Sequence, residues 1–179
     1  MPPAVSDAGP LIHLSQVGQL HLLRELFDVI HITRRVKEEA ADTGVELGYE
    51  DARTVKAAIG EGWIIIRDVP DEVAATVELL AEDENISTTD AETLLLASMN
   101  GTENVLIDEK ILSNLARMRG LKIWSTWTVL LEALGRGLVE VSDIESAIAE
   151  LAERRHKLTP EQAREILEAA KLVSSKRKE

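Results

Sequence analysis

Residues 104–135, NVLIDEKILSNLARMRGLKIWSTWTVLLEALG, decide how this chain folds. Asn104–Ile107 is a brief β-prone run, Lys110–Arg119 repeats apolar residues at helical spacing, Leu121–Trp124 is a second short run, and Thr126–Gly135 is a helical segment closed by glycine. Strands separated by a helix cannot form a hairpin; the helix must cross over, and a right-handed crossover sets the strands parallel. This stretch therefore predicts an α/β chain with a mostly parallel sheet and helices on both faces.

Working outward, the same alternation continues. Ala4–Ser6 reads as a first strand, and leucines at 11, 14, 20, 23 and 26 predict helices up to Phe27. Val29–Ile32 is a second strand, after which Thr33 can N-cap a charged helix through about Thr43. Tyr49–Ile59 is helical, Gly60–Gly62 releases the chain, and Ile64–Ile66 within Trp63–Val69 suits a buried strand. Pro70 opens a further helix, and two overlapping capping signals, Ser87 with Asp90 and Thr89 with Glu92, specify the next. Residues 142–179 leave this rhythm for a helical hairpin: one helix, a Lys157-Leu158 linker, and a last helix opened by Thr159-Pro160-Glu161-Gln162. The division expected is an α/β domain over 1–141 and a helical hairpin with tail over 142–179. Stripes of Ile144, Ile148 and Leu151, and of Ala163, Ile166, Leu167 and Ala170, are expected to extend the core, with a partner contact as the alternative. Ser174–Glu179 is expected to fray.

Composition narrows the function. With 179 residues and 45% hydrophobic content there is enough chain for one core, and no cysteine is present to form a disulfide, a zinc-thiolate site or a thiol nucleophile. The apolar runs are too short to span a bilayer and no secretory leader is visible, so cytoplasm is the expected compartment. A net charge of −12 argues against a protein that coats nucleic acid by charge alone. Positive charge is local, at Arg34, Arg35 and Lys37 and again at Arg154, Arg155 and Lys157. There is no GxxxxGK(S/T) phosphate loop, dinucleotide fingerprint or GxSxG elbow, and His13, His21, His31 and His156 lie at no metal-ligand spacing and receive no role.

Ligands of open parallel sheets bind outside the carboxyl ends of the strands, and acids stand there. Asp7 follows the first strand, Asp108 and Glu109 follow Val105–Ile107, Asp90 and Glu92 lie in the first turns of a capped helix, and Glu38 and Glu39 lie one to two turns after the second strand. Each has an ordinary use: an Asx-turn for Asp7, capping and dipole for Asp90 and Glu92, an N-cap for Asp108, solvent for Glu38 and Glu39. Those uses do not explain why the acids share ligand-binding corners. Two carboxylates ~4 Å apart repel by about 4 kcal/mol at an effective dielectric of 20, so such a pocket needs a cation. All-oxygen ligands suit magnesium or manganese, which would activate a water for phosphodiester hydrolysis.

Val5-Ser6-Asp7-Ala8-Gly9-Pro10-Leu11-Ile12 resembles the opening of PIN domains, especially their "DxxPLI" version. Val36-Lys37-Glu38-Glu39, Asp90-Ala91-Glu92-Thr93-Leu94, and Val105-Leu106-Ile107-Asp108-Glu109 with Leu115-Ala116-Arg117, Gly120-Leu121 and Trp124-Ser125-Thr126 are similar to the later motifs, in order, along residues 4–135. The resemblance implies a three-layer PIN-like fold and a VapC-type metal-dependent endoribonuclease. It implies catalytic Asp7, Glu39, Asp90 and Asp108, with Asp7, Asp90 and Asp108 foremost as metal ligands and Glu38, Glu92 and Glu109 as secondary candidates. A Thr-x-Asp form of the last motif would align Glu109 in place of Asp108; the separation from Asp90 favours Asp108. Magnesium or manganese is the expected cofactor, RNA the substrate, a homodimer the assembly and an antitoxin the protein partner if the chain is a toxin. The alternative is a catalytically weak PIN scaffold that binds a partner through its hairpin.

Overall fold

A computed structural model describes residues 1–154 and 156–177; Arg155 of the second basic cluster, Lys178 and Glu179 lie outside the described residues. Five strands, β1 (Ala4–Ser6), β2 (Ile30–Ile32), β3 (Ile64–Ile66), β4 (Asn104–Leu106) and β5 (Lys122–Trp124), pair in the order β3-β2-β1-β4-β5. Every pairing is parallel, with Val5 opposite His31 on one side and Val105 on the other. The chain builds outward from β1 to β3, then returns to β1's other side for β4 and β5. The strand order thus reverses between β1 and β4, the place where an open parallel sheet leaves a crevice at its carboxyl ends.

The helices fill both faces. After β1 come α1 (Ala8–Gln16) and α2 (Leu22–Leu26), divided at Gly18, whose φ of +69° stops the leucine-rich run. After β2, α3 (Arg34–Lys37) passes through a π-helical turn (Glu38–Asp42) into α4 (Thr43–Glu46), and α5 (Glu50–Gly60) leads to β3. A 3-10 turn (Asp71–Val73), α6 (Ala74–Glu84) and α7 (Thr88–Met99) precede β4; α8 (Lys110–Met118) and α9 (Thr126–Gly135) flank β5; α10 (Val141–Glu153) and α11 (Pro160–Arg177) form the hairpin. Alternate strand residues serve opposite layers. Ala4 and Leu106 join the larger core, with Leu11, Phe27 and Leu130, whereas Val5, Val105 and Ile107 join the smaller one, with Leu94, Leu112 and Ala116. The α/β architecture expected from the alternation is what forms.

Several details depart from expectation. β3 is an edge strand, which leaves Ile65 38% exposed where burial was expected. Of the two overlapping signals before α7, the Ser87 one makes a capping box, with Asp90; Glu92 instead pairs with Arg35 at 3.0 Å. The hairpin extends the core, since Ile144, Ala147 and Ala170 are buried within it and α11 packs on α9. The tail does not fray at Ser174: α11 continues to Arg177, whose guanidinium donates to the carbonyls of Leu134 and Val139 and pairs with Glu140 at 2.8 Å. Among the described residues no helix is long and apolar enough to cross a membrane.

Candidate metal centre

Asp7 leaves the central strand with its amide donating to the Leu106 carbonyl at 3.0 Å, so its position is tied to β4. It occupies the N-cap position of α1 in extended conformation, yet its side chain makes no capping bond. The carboxyl is pushed up to about 7: loss of solvation is the largest cause, the amides of Ala8 and Gly9 act against it, and the charges of Asp90 and Glu39 add to it. Glu39, carried by the π-helical turn and itself solvent-exposed, is also raised, by partial loss of solvation first and then by Asp90. Asp90 accepts the Ser87 amide on Oδ2 at 3.2 Å within the capping box. Three carboxylates from three chain segments therefore feel one another with no lysine or arginine among the causes of either shift.

Asp108 is held differently. Its Oδ1 accepts the Thr126 amide at 2.7 Å, and its Oδ2 accepts both the Thr126 hydroxyl at 2.7 Å and His13 Nδ1 at 2.6 Å. Burial alone would raise this acid, but the bonds from His13 and Thr126 outweigh it and hold the carboxyl below its ordinary value. Thr126 opens α9, so Asp108 satisfies an amide at that helix's N-terminus, and the N-cap position of α8 falls to Glu109. A Cβ placed on Gly9 would sit 3.7 Å from Asp108 Oδ2 and 3.9 Å from Asp7 Oδ2. Those are ordinary contact distances, so Gly9 marks where the two carboxylates approach each other without being required there.

A family model, DUF3368, described as a PIN domain, matches residues 3–172. This chain belongs to that PIN-domain family. The crystal structure of PAE2754 from Pyrobaculum aerophilum is similar to this PIN domain with a TM-score of 0.53 and 17% identity, covering 73% of this chain and 96% of that one, a likeness of fold alone. No match is found among curated proteins.

Within this PIN domain, Asp7, Glu39 and Asp90 are near enough for their charges to act on one another, and Asp108 stands near Asp7 beside Gly9; among the described residues the acids do not gather three ligand atoms within 4.8 Å of one another, as His13, Asp108 and His156 do. The secondary candidates lie further out. Glu92 is spent on Arg35, Glu38 is exposed on a groove it shares with Arg34, Arg35 and Asp68, and Glu109 is exposed without a capping bond.

Two histidines correct the sequence reading, which gave them no role. His13 bonds Asp108, and His156, from the linker between α10 and α11, stacks on His13 with ring centroids 3.7 Å apart at 28°. Burial and then His13 lower the pKa of His156, with Asp108 opposing. Ligand atoms of His13, Asp108 and His156 lie within 4.8 Å of one another. An ion taken by His13 Nδ1 would have to displace its 2.6 Å bond to Asp108. The arrangement of the rings orients Asp108 instead. No local spacing could reveal it, because the three residues come from α1, the end of β4 and the hairpin linker. Thr126 was legible as a helix start but not as a partner of Asp108.

Proposed function

We propose that this PIN domain is a magnesium- or manganese-dependent endoribonuclease of the VapC type, with Asp7, Glu39, Asp90 and Asp108 as its catalytic acids. The observation that carries the reading is Asp7, a carboxyl raised to about 7 by burial and by two further acids, at the point where the strand order reverses. Such a group gains most from a doubly charged cation, and the donors are oxygens, which suits a hard ion. Asp7, Glu39 and Asp90 would hold it, with Asp90 keeping one oxygen clear of the capping bond. Asp108 is fixed by Thr126 and His13, so its orientation is set before any ligand arrives. When bound, a divalent ion supplies an acidified water and positive charge where phosphoryl oxygens gain negative charge.

PIN domains are generally nucleases, and RNA is our proposal for the substrate. Titration calorimetry with manganese, run alongside cleavage of single-stranded RNA, tests both parts. Wild type is expected to bind and cleave, and Asp7→Asn to lose both. Equal cleavage by the variant, or no manganese binding by wild type, sinks the reading. As a toxin, the same acids would receive a basic antitoxin segment, which native mass spectrometry of the complex from cells would detect.

A further inference from the structure

Two cavities beside the acids share a wall. One, of about 200 Å³, is lined by Glu39, Gln16, Tyr49 and Asp51 among others; the second, of about 480 Å³, is lined again by Gln16, Tyr49 and Asp51 and ends at Arg154. Together the two hollows form a trough-like path from Glu39 to Arg154, at the start of the hairpin linker, and the larger has the volume of a small-ligand pocket.

Tyr49 lines both hollows. It is the chain's only tyrosine and is 55% exposed, whereas Phe27 and Trp124 are buried in the core and Trp63 and Trp127 are partly covered. Its backbone is pinned. Gly48, at φ +80°, turns the chain, and the Tyr49 amide donates to the Gly44 carbonyl at 2.8 Å. The ring edge lies 3.6 Å from where a Gly44 Cβ would be, and that same Cβ would meet Ala52 at 2.4 Å, so α4 and α5 close on each other only because residue 44 is glycine. An aromatic face kept in solvent on a fixed support is what stacks an unpaired base. Beside it, Gln16 Nε2 reaches Asp51 Oδ2 at 3.5 Å, a long bond that leaves the carboxylate open to a better donor.

Charge points the same way. A chain of net charge −12 gains little from releasing phosphate counterions, so RNA affinity has to come from its bases. Two acceptor oxygens on Asp51 match paired donors on a base edge, and guanine's N1–H and N2–H₂ present such a pair.

We propose that the trough between Glu39 and Arg154 is a nucleobase subsite, in which an unstacked base of single-stranded RNA, guanine best, stacks on Tyr49 and donates to Asp51. Arg154 then meets the neighbouring phosphate. The inference rests on the nuclease reading for its substrate class, but it is tested without catalysis. Fluorescence anisotropy in EDTA would measure binding of labelled hexauridylate and of the same RNA with one central guanine. Wild type is expected to prefer the guanine RNA. Tyr49→Ala weakens binding of both roughly 5- to 150-fold while Tyr49→Phe keeps it, and Asp51→Asn erases the preference for guanine. Circular dichroism verifies that each variant is folded. Wild-type affinity for both RNAs in Tyr49→Ala, or an undiminished guanine preference in Asp51→Asn, overturns the subsite. Cleavage by wild type that Asp7→Asn abolishes, with binding unchanged in Tyr49→Ala, removes the subsite and keeps the nuclease; selective binding without cleavage does the reverse.

Discussion

Asp7 makes the ion-free protein sensitive to pH in a direction opposite to the usual carboxylate. Folding raises its carboxyl from 3.8 to about 7, so over that interval the folded chain keeps a proton that the unfolded chain has lost. Stability from this group is complete below pH 3.8 and declines as pH rises through about 7. In EDTA, Asp7→Asn is therefore expected to melt above wild type at pH 8, by ~1–3 kcal/mol in stability, and to match it near pH 4. Thermal denaturation at the two pH values checks this; a variant less stable at pH 8 contradicts it. Asp108 behaves in the opposite sense because donors already surround it, and His13 is the one that reaches it from another element's side chain besides Thr126. His13→Leu is expected to cost ~1–3 kcal/mol in urea unfolding, with His13→Asn, which retains a donor, recovering part of the loss. Here the sequence misled, since His13 and Asp108 stand 95 positions apart and no spacing rule spans that distance.

Elements were the most legible scale, and the reason is local chemistry. Ser87-Thr88-Thr89-Asp90 announced a capping box that forms as read, with bonds of 3.0 and 3.2 Å. Thr159 and Gln162 do the same for α11. Ser87→Ala is expected to destabilise the fold by ~1 kcal/mol, measured by chemical denaturation, while freeing the Asp90 oxygen that now accepts the Ser87 amide only if the helix start shifts. What local chemistry could not show was the π-helical turn at Glu38–Asp42, where one wide turn sits between α3 and α4 and carries Glu39. Nor could it show that α4 and α5 touch at Gly44. Gly44→Ala should cost ~1–3 kcal/mol by the clash with Ala52, and Ala52→Gly in the same chain should restore most of it. A Gly44→Ala variant as stable as wild type would show that the two helices can part without penalty.

At the level of the whole molecule, alternation of strand and helix fixed the class but not the strand order, so β3 was read as buried when it is an edge. The hairpin's apolar stripes were readable; that they cover α9 and deliver His156 onto His13 was not. Removing residues 141–179 is expected to expose Leu130, Leu134 and Val139 and to give a species that binds a hydrophobic dye and aggregates in light scattering; a soluble, dye-negative truncation would mean that the layer is dispensable. The placement of the acids has a consequence for how a ligand leaves. Asp7 and Asp108 hang on the innermost pair of strands, the part of such a fold expected to open last, and Asp90 on the well-packed α7, while Glu39 rides on a π-helical turn between two four-residue helical segments. On the proposed metal-binding reading, partial opening of those segments would withdraw the Glu39 carboxylate while the sheet stays shut. An ion could thus come and go many times within one lifetime of the folded state.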